Sequence, residues 1–411
     1  MRASGTVTVL DIGSTKVCCC IANIFNGGHF EIIGVGYCLC RGVEAGKIVD
    51  VKSVEKSIAN AVENAEKMAN FRVKSVYVNV SGKGVKSQIT NINLNIGGRI
   101  IKSEDLLNVF EYCKQEDGDR VVIHSIPILY SVDSLHGIRD PVGMIANNLN
   151  IHMNLITVQR AQLDNLLLCL TRCHLDPIGI VASIFASGLC VMGDDDMSTN
   201  QIVIDFGGGT TSIGFFYNGM FSGMEVIPLG GNNITSDIAY GLNMSMSNAE
   251  RLKTLHGAAF ASIQDEREVV FAPTIEDDAV INLQQISKGS LNQIIQPRVE
   301  EILNIIRKRV EESSFTNNFS RSVIITGGGS NLTGIGDFAN NIMNKKVKTK
   351  KVEEFIGKQN VPINNSFSVA VGMIKFAQLG DGQPIKVSYF ARRDKQEGFF
   401  KKILTLIEND L

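Results

Sequence analysis

The chain has 411 residues, and its 40 lysines and arginines against 42 aspartates and glutamates give a formal net charge of −2. This length predicts two to four folding units. The near-equal numbers of basic and acidic residues are not typical of a nucleic-acid-binding protein. No apolar stretch approaches the roughly 18 residues that cross a bilayer, and the first residues lack the pattern of a signal peptide. The nine cysteines, three of them adjacent at residues 18–20, indicate reduced thiols of a cytosolic protein rather than disulfides or a zinc site.

The N-terminal region predicts a β-meander followed by a helix and another strand. Apolar runs bounded by turn residues predict strands at residues 6–10, 17–22, 29–36 and 75–80. A turn from Asp11 to Lys16 joins the first two of these strands. Between the third and the fourth, apolar residues from Val54 to Met68 recur at helical spacing and predict an amphipathic helix.

The second half of the chain repeats this opening unit. The pattern first changes at residues 84–158, which predict an inserted subdomain with short strands and one helix. The first lobe therefore comprises residues 1–83 and 159–192, and the second lobe residues 193–378. After a polar loop, a strand at residues 201–204 runs into the turn Asp205-Phe-Gly-Gly-Gly-Thr-Thr211, and a returning strand follows. The unit of strand, Asp-x-Gly turn and strand thus occurs twice, which indicates an internal duplication.

Each Asp-x-Gly turn suits phosphate binding. Glycine lets backbone N–H groups approach phosphate oxygens, and Ser or Thr hydroxyls add further donors. An aspartate at the strand end holds Mg²⁺ on the same phosphates, usually through water. A single turn of this kind is more often a tight hairpin, with function in roughly one case in ten. Two copies in corresponding halves predict instead a clamp on a polyphosphate, with Asp11 and Asp205 as the Mg²⁺ residues.

Two further glycine clusters fit the same cleft. Gly230, Gly231 and Asn232 come shortly before a predicted helix start at Thr235, where helix N–H groups suit an anion. Residues 327–330, Gly-Gly-Gly-Ser, follow an apolar strand, and glycine there permits the close approach of a nucleoside. Each cluster alone is more often a plain turn, but the order of all four motifs predicts one nucleotide site.

In this order the motifs resemble those of the actin-like ATPases, a superfamily that also contains heat-shock chaperone ATPases and sugar kinases. Residues 11–16 and 205–211 resemble its two phosphate loops, residues 323–330 its adenosine motif, and residues 179–191 and 366–376 its two connecting segments. The resemblance implies an α/β, actin-like two-lobed fold. Each lobe would contain a mixed β-sheet with helices, and the cleft between them would bind ATP and Mg²⁺.

Two blocks resemble the FtsA family of bacterial cell-division proteins in particular. One runs from His124 to Gly143 in the inserted subdomain, and the other from Gly230 to Lys253. This resemblance implies that Glu250 and Lys253 contact the adenosine end of the nucleotide, although a pair three residues apart is also common on exposed helices. The predicted nucleotide-binding residues are then Asp11, Gly13, Ser14, Thr15, Lys16, Asp205, Gly207, Gly208, Gly209, Thr210, Thr211, Gly230, Gly231, Asn232, Glu250, Lys253, Gly327, Gly328, Gly329 and Ser330.

The same resemblance implies further domains and partners. A small subdomain would occupy about residues 241–310, and a connecting helix at about residues 366–377 would return to the first lobe. The implied partners are other copies of the chain in a homo-polymer, the C-terminal tail of the tubulin-like division protein FtsZ, membrane lipids and other division proteins. Arg298 is the candidate contact for the FtsZ tail; without the resemblance it is an ordinary solvated helix residue.

The first connecting segment predicts little hydrolysis. From Ser183 to Gly188 it contains only small and apolar residues and serines, and serine at its normal pKa cannot activate water without a partner base. We therefore expect an adaptor that binds nucleotide, with no catalytic residue, and interpret His124 and His152 as structural. Two alternatives stay open: a sugar or small-molecule kinase, which needs a catalytic acid, and a pilus-assembly or shape-determining relative with another partner.

Residues 398–411 predict an amphipathic helix after a polar linker at residues 379–397. At 100° per residue its apolar side chains fall within an arc of about 160°. The arc includes Leu406 at one edge and the predicted anchor residues Phe399, Phe400, Ile403, Leu404, Ile407 and Leu411. Docking on its own domain is the common role of such a helix, but a tethered one suits a membrane interface, and the family resemblance implies an anchor on the inner face of the cytoplasmic membrane at the division site. Residues 392–411 carry five basic and four acidic side chains, so this anchor would be weak alone and would profit from avidity in a polymer.

Overall fold

A computed structural model gives the fold of the protein. It describes residues 5–25, 28–113, 118–262, 265–273, 283–313, 315, 322–352, 363–379 and 386–387. None of the helices in these ranges has both the length and the apolar character of a membrane span. The predicted C-terminal helix, residues 398–411, lies outside the described residues.

The first lobe opens with the predicted meander. Its first elements are β1 (Gly5–Ile12), β2 (Lys16–Ile24), β3 (Phe30–Leu39), β4 (Val43–Glu44), β5 (Lys47–Ile48), α1 (Val51–Ala69) and β6 (Ser75–Val80). Strand β2 pairs antiparallel with both β1 and β3. Since β6 pairs with β1 in parallel, the carboxyl ends of β1 and β6 meet at the same edge of the sheet.

Helix α1 forms because its sequence has both a cap and one apolar face. The Asp50 carboxylate accepts a hydrogen bond from the Ser53 N–H at 3.2 Å, which satisfies one free donor of the first turn. Val54 and Ile58 on the predicted apolar face are fully buried. Met68 was expected on that face as well, but its side chain is 48% exposed, because it lies in the last turn of the helix at the margin of the packed surface.

The inserted subdomain forms a separate antiparallel sheet. Its elements are β7 (Val85–Ile100), α2 (Ser103–Tyr112), β8 (Arg120–Val132), β9 (Leu135–Ile138) and β10 (Ile145–Gln159). Strand β10 lies between β7 and β8, and β9 pairs with β8. A small core of its own, which includes Ile101, Leu149 and Ile151, packs beneath this sheet.

The chain then returns to the first lobe. The next elements are α3 (Arg160–Arg172), β11 (Asp176–Ala182), α4 (Ser183–Val191) and α5 (Asp194–Met197). Strand β11 completes the first-lobe sheet, whose order is β11-β6-β1-β2-β3. Helix α5 lies in the segment expected to be a polar loop, and it forms because the Asp196 carboxylate accepts a hydrogen bond from the Gly193 N–H at 3.0 Å.

The second lobe follows the same plan. Its elements are β12 (Gln201–Phe206), β13 (Thr211–Tyr217), β14 (Met220–Ile227), α6 (Gly231–Gly241), α7 (Met246–His256), β15 (Val269–Pro273), β16 (Leu283–Ser287), α8 (Lys288–Glu312), β17 (Ser322–Thr326), a 3₁₀ turn (Gly328–Asn331), α9 (Ile335–Met343) and β18 (Lys346–Thr349). Its main sheet has the order β14-β13-β12-β17-β18. Each lobe therefore contains an antiparallel three-stranded meander, extended on the side of its first strand by two parallel strands. The predicted duplication is confirmed.

Helix α6 begins four residues before the predicted start at Thr235. The Asn233 side chain accepts a hydrogen bond from the Gly230 N–H at 2.9 Å. This bond caps the helix from within its first turn, so no Ser or Thr is needed at the start. As a result the glycine pair Gly230-Gly231 forms the helix N-terminus itself rather than a turn ahead of it.

The end of the described chain connects the lobes. A 3₁₀ turn (Asn365–Phe367), α10 (Ser368–Gln378) and β19 (Lys386–Val387) complete the element order. Helix α10 crosses α4 so closely that a Cβ at Gly372 would collide with the carbonyl of Ala186. Strand β19, within the segment expected to be a linker, pairs with the edge of β8 opposite His124 and Ser125.

Candidate nucleotide-binding cleft

A cavity of about 350 Å³ lies where the two duplicated units meet. Residues of both Asp-x-Gly loops, of helices α6 and α7 and of the glycine cluster after β17 line it. Of the predicted residues it is lined by Asp11, Gly13, Ser14, Thr15, Lys16, Asp205, Gly207, Gly208, Gly209, Thr210, Gly231, Asn232, Glu250, Lys253, Gly327, Gly328 and Gly329. Four motifs that are distant in the chain thus surround one space.

The two loops have the same backbone design. In the first, the Gly13 N–H donates to the carbonyl of Lys16 at 2.9 Å, and in the second the Gly207 N–H donates to the carbonyl of Thr210 at 3.0 Å. Each bond closes a short hairpin directly after a strand that ends in aspartate and one apolar residue. The equivalent aspartates, Asp11 and Asp205, are therefore directed into the cavity from opposite sides.

The loops also touch each other across the cleft. The Thr15 hydroxyl donates to the Asn232 side-chain oxygen at 3.2 Å. A Cβ at Gly208 would collide with the same Thr15 hydroxyl, and one at Gly209 would lie 2.5 Å from Ser14 Oγ. Glycine at these two positions is required by this close approach between the lobes rather than by its backbone angles.

The loops present free backbone donors to the cavity. Among the hydrogen bonds of the described residues, the N–H groups of Ser14, Thr15, Gly208 and Gly209 donate to no protein atom. Successive unpaired N–H groups of this kind form concave sites for anions. The N–H groups of Gly231 and Asn232, which were expected to face an anion, instead donate to the carbonyls of Gly207 and Gly208, so α6 supports the second loop.

The two aspartates are buried and differ in their support. Burial raises the pKa of Asp11 to about 7, while Lys16 lowers it and Asp205 raises it further. Burial also raises the pKa of Asp205 to about 6, and a hydrogen bond from Ser187 opposes that shift. Two desolvated carboxylates that face one cavity are the hard oxygen donors that Mg²⁺ prefers, so the donor set fits the predicted metal.

Lys16 holds its cationic group at the mouth of the first loop. Its Nζ donates to the Ser366 hydroxyl at 2.7 Å and lies 3.5 Å from the centre of the Phe367 ring. Burial lowers the pKa of this amine, and the nearby Cys18, Asp11 and Cys20 oppose the shift. An anionic ligand in the cavity would meet a partly desolvated cation there.

Helices α6 and α7 form the wall expected to face the adenosine. Lys253 Nζ donates to the Glu250 carboxylate at 2.7 Å, to the Thr235 hydroxyl at 2.7 Å and to the carbonyl of Gly231 at 3.0 Å. The Thr235 hydroxyl in turn donates to Glu250 at 2.5 Å. Glu250 and Lys253 are therefore a connected pair at the cavity wall rather than an exposed surface pair.

Three predicted residues lie behind the cavity wall. The Thr211 hydroxyl donates to the carbonyl of Leu229, and the Ser330 hydroxyl donates to the carbonyl of Gly327. Gly230 packs against the carbonyls of Gly207 and Gly208, which leave no room for a Cβ. These residues fix the shape of the site without facing it.

Sequence reasoning missed several lining residues, above all Asn79 and Ser183. Asn79 lies one residue before the end of β6, and Ser183 begins α4 directly after β11. The available signal was their position at the carboxyl ends of buried strands that run parallel to β1, since such ends meet at the same edge of a sheet. Ser366 was noted only as part of a connecting helix, although its hydroxyl contacts Lys16.

His124 is buried beside the connecting helix rather than in the cleft. Its Nε2 accepts a hydrogen bond from the Ala182 N–H at 3.1 Å, and its ring packs edge-on against Phe185 and Phe376. Burial lowers the pKa of this imidazole to about 3, so the side chain is neutral. His152 lies on β10 of the inserted subdomain, and neither histidine lines the cavity.

Arg298 lies on α8, outside the cavity. Its guanidinium donates twice to the Asp237 carboxylate, at 2.6 and 3.0 Å, and once to Glu301 at 2.5 Å. These partners raise its pKa further, and 28% of the side chain is exposed. Arg298 is thus an intramolecular ion-pair residue as well as the candidate partner contact.

The duplicated sheets around one cavity define the class: an actin-like, two-lobed protein with an inserted subdomain. Solved structures share this fold. The PilM–PilN type IV pilus biogenesis complex superposes with a TM-score of 0.64 at 14% identity, covering 91% of this chain and 98% of that chain. MreB5 of Spiroplasma citri bound to ADP superposes with a TM-score of 0.55 at 12% identity, covering 92% and 98%.

Sequence comparison identifies the family. Residues 202–372 match the family model described as cell division protein FtsA, and residues 82–157 match the SHS2 domain inserted in FtsA. The cell division protein FtsA of Agrobacterium fabrum is 37% identical over 392 residues, covering 92% of this chain and 88% of the relative. The chain therefore belongs to the FtsA family of cell division proteins, as the resemblance of its motifs predicted.

Proposed function

We propose that the cleft binds ATP together with Mg²⁺. The observation that carries this proposal is the pair of equivalent Asp-x-Gly loops that face each other across one cavity with free N–H donors on both sides. In this proposal the loops hold the phosphates, Lys16 adds a cation, and Glu250 and Lys253 contact the adenosine end. Further support comes from MreB5, which shares the fold and whose solved structure contains ADP.

Asp11 and Asp205 are the residues that would hold Mg²⁺, through water. The metal would neutralise phosphate charge when it is bound. The protein would supply two preformed carboxylates, and their burial makes them hold a divalent cation more strongly than exposed aspartates would. Metal binding would favour the deprotonated form of both carboxyl groups and so lower their pKa values, which is opposite to the effect of burial.

Hydrolysis in this cleft would be slow at most. Ser183 donates to the carbonyl of Val80 and accepts from the Asn79 amide, and Ser187 donates to Asp205. The backbone carbonyl that Ser183 faces is not a base, and the one carboxylate beside Ser187, that of Asp205, is assigned to the metal in this proposal, so neither serine has a free base with which to activate a water molecule. The nucleotide would therefore act mainly as a structural ligand, and the chain as an adaptor rather than as an efficient ATPase.

As an adaptor, the chain would join FtsZ to the cytoplasmic membrane and help to recruit other division proteins. Membership of the FtsA family supports this role, and the amphipathic pattern of residues 398–411 supports a peripheral anchor at the inner membrane face. Polymerisation of the chain would multiply weak anchors into stable attachment. The FtsZ tail would dock on the small subdomain near Arg298.

Vesicle co-sedimentation tests the adaptor role. The full chain and a version that ends at Glu397 are each mixed with FtsZ and anionic vesicles, with and without ATP. We expect the full chain to pellet and to carry FtsZ with it, and the shortened chain to leave FtsZ in solution. Equal FtsZ pelleting by the two chains, or none by either in both nucleotide conditions, would contradict the proposal.

Arg298 needs a matched pair of variants because it already has intramolecular partners. Arg298→Glu places a carboxylate beside Asp237 and Glu301, so it perturbs the subdomain as well as any docking surface. Asp237→Asn weakens the same ion pair but keeps the guanidinium. We expect Arg298→Glu to lose binding of FtsZ tail peptide and Asp237→Asn to retain it; unchanged binding in Arg298→Glu would remove Arg298 from the proposal.

A further inference from the structure

We propose that Asn79 is the positioning residue of the first loop: it fixes the Asp11 carboxylate in the direction that metal-dependent nucleotide binding requires. This inference rests on the proposed nucleotide function of the cleft. It concerns a residue on neither loop, at the end of the neighbouring strand β6, which runs parallel to β1.

The contacts of Asn79 join three elements at this point. Its Nδ2 donates to Asp11 Oδ1 at 2.7 Å and to the Ser183 hydroxyl at 3.0 Å. Its Oδ1 accepts from the Ile12 N–H at 2.7 Å. One amide thus binds the side chain of Asp11, the backbone of the next residue and the first residue of α4.

This arrangement leaves Asn79 no donor for a phosphate. A side-chain amide has two N–H donors and a carbonyl oxygen that can only accept. Asp11 and Ser183 occupy the two donors, and the Ile12 N–H donates to the oxygen. Asn79 lines the cavity, but it could donate to a phosphate oxygen only if one of its two donor bonds broke, so its influence on a bound phosphate passes through Asp11.

The effect on Asp11 is directional. The bond from Nδ2 fixes Oδ1, which leaves the second carboxylate oxygen as the one free to face a metal-bound water. Supporting residues that orient a carboxylate or imidazole ligand contribute about 10–100-fold to metal affinity. Asn79 is only 4% exposed, so its loss would also leave the Ile12 N–H without its acceptor and remove the hydrogen bond that the Ser183 hydroxyl accepts, which costs stability.

Binding of fluorescent ATP, measured with Mg²⁺ and with EDTA, separates positioning from stability. A residue that positions Asp11 acts on the Mg²⁺-dependent part of the affinity, whereas general loss of structure weakens binding in both media. The readout is the dissociation constant in EDTA divided by that in Mg²⁺, measured below the melting temperature of each variant. Asn154→Ala is the matched control, because Asn154 is also buried and hydrogen-bonded but lies in the inserted subdomain.

We expect Asn79→Ala to reduce the Mg²⁺-dependent ratio by at least about 10-fold and to change the affinity in EDTA by less than about 3-fold. Asn154→Ala should keep the wild-type ratio. Should Asn79→Ala fail to fold, Asn79→Ser replaces it; its hydroxyl remains near the Ile12 N–H, but it lacks the amide that joins Asp11 to Ser183, and the same loss is expected.

A wild-type ratio in the folded Asn79 variant would overturn the inference while the proposed function stands. A wild-type protein whose affinity is the same in Mg²⁺ and EDTA would overturn it too, since Asp11 would then hold no metal. A wild-type protein that binds no ATP in either medium would instead refute the proposed function on which the inference rests.

Discussion

The two Asp-x-Gly loops have the same backbone and different surroundings. Each follows the first strand of a meander, and each closes with a hydrogen bond from the glycine N–H back to the end of the loop. The Asp11 carboxylate accepts a hydrogen bond from the Asn79 amide and has Lys16 nearby. Among the described residues, the Asp205 side chain accepts a hydrogen bond only from the Ser187 hydroxyl. The duplication thus preserved the hairpin that presents the carboxylate, and the elements behind each hairpin diverged.

This difference assigns unequal tasks to the two halves. The first loop has a cation and a carboxylate with a fixed direction, a combination suited to orienting a metal-bound phosphate. The second loop accepts hydrogen bonds from the Gly231 and Asn232 N–H groups at the N-terminus of α6, so under the proposed function it would join the phosphates to the wall that contains Glu250 and Lys253. A symmetrical backbone would in this way hold an asymmetrical ligand.

Removal of either carboxylate should have the largest effect. We expect Asp11→Asn and Asp205→Asn each to reduce Mg²⁺-dependent ATP affinity by more than the about 10–100-fold that supporting residues contribute. Both variants should nevertheless melt at a higher temperature than the wild type at pH 8 in EDTA, because a buried charge is replaced by a neutral amide. Calorimetry of binding and of unfolding measures the two effects.

Asp195→Asn is the control for these variants, because Asp195 is exposed on α5. It should change neither quantity. A loss of affinity together with a lower melting temperature in Asp11→Asn would mean that the carboxylate supports the fold rather than a metal.

Forcing the two loops apart should have the next largest effect. Gly208→Ala introduces a methyl group that collides with the Thr15 hydroxyl across the cleft, so the loops must separate. We expect ATP affinity to fall by about 10-fold both in Mg²⁺ and in EDTA, equivalent to about 1.4 kcal/mol, because the clamp and not the metal is affected. Gly5→Ala, where a Cβ meets no atom within 4 Å, serves as the control; equal affinities in the two variants would contradict the clamp.

The pH dependence of stability gives the most specific difference between regions. The folded pKa of His124 is lowered to about 3 from an ordinary 6.5, so below pH 6.5 the unfolded chain takes up a proton that the folded chain does not. The contribution of His124 to the free energy of unfolding is complete above pH 6.5 and decreases as the pH falls towards 3. The raised pKa values of Asp11 and Asp205 act in the opposite direction, since their contribution is lost as the pH rises through 6 and 7.

His124→Gln separates these contributions in thermal unfolding with EDTA present. We expect the stability advantage of the wild type over His124→Gln to shrink by about 1.4 kcal/mol for each pH unit below 6.5. Asn154→Ala removes a group that does not titrate, so its destabilisation should not vary with pH. A wild-type advantage over His124→Gln that stays constant from pH 7 to pH 4 would contradict a buried neutral imidazole.

Much of this architecture was predictable because it depends on local patterns. The Asp-x-Gly turns at Asp11 and Asp205 fixed the meanders, and their repetition predicted two equivalent sheets, which the strand orders confirm. The support of each loop was not predicted, because it comes from residues such as Asn79 and Ser187 on other elements, whose contacts depend on the tertiary fold. The start of α6 was also predicted too late, since its cap is Asn233 inside the first turn rather than a residue ahead of the helix.

The most direct test of a shared site is a double-mutant cycle on Asp11 and Asp205, with Mg²⁺-dependent ATP affinity as the readout. If both carboxylates hold the same metal-nucleotide complex, the double variant Asp11→Asn/Asp205→Asn should lose little more affinity than either single variant, because the first substitution already abolishes the metal-dependent part. Losses in the two single variants that simply add in the double variant would show two independent sites and contradict a single clamp formed by the duplicated loops.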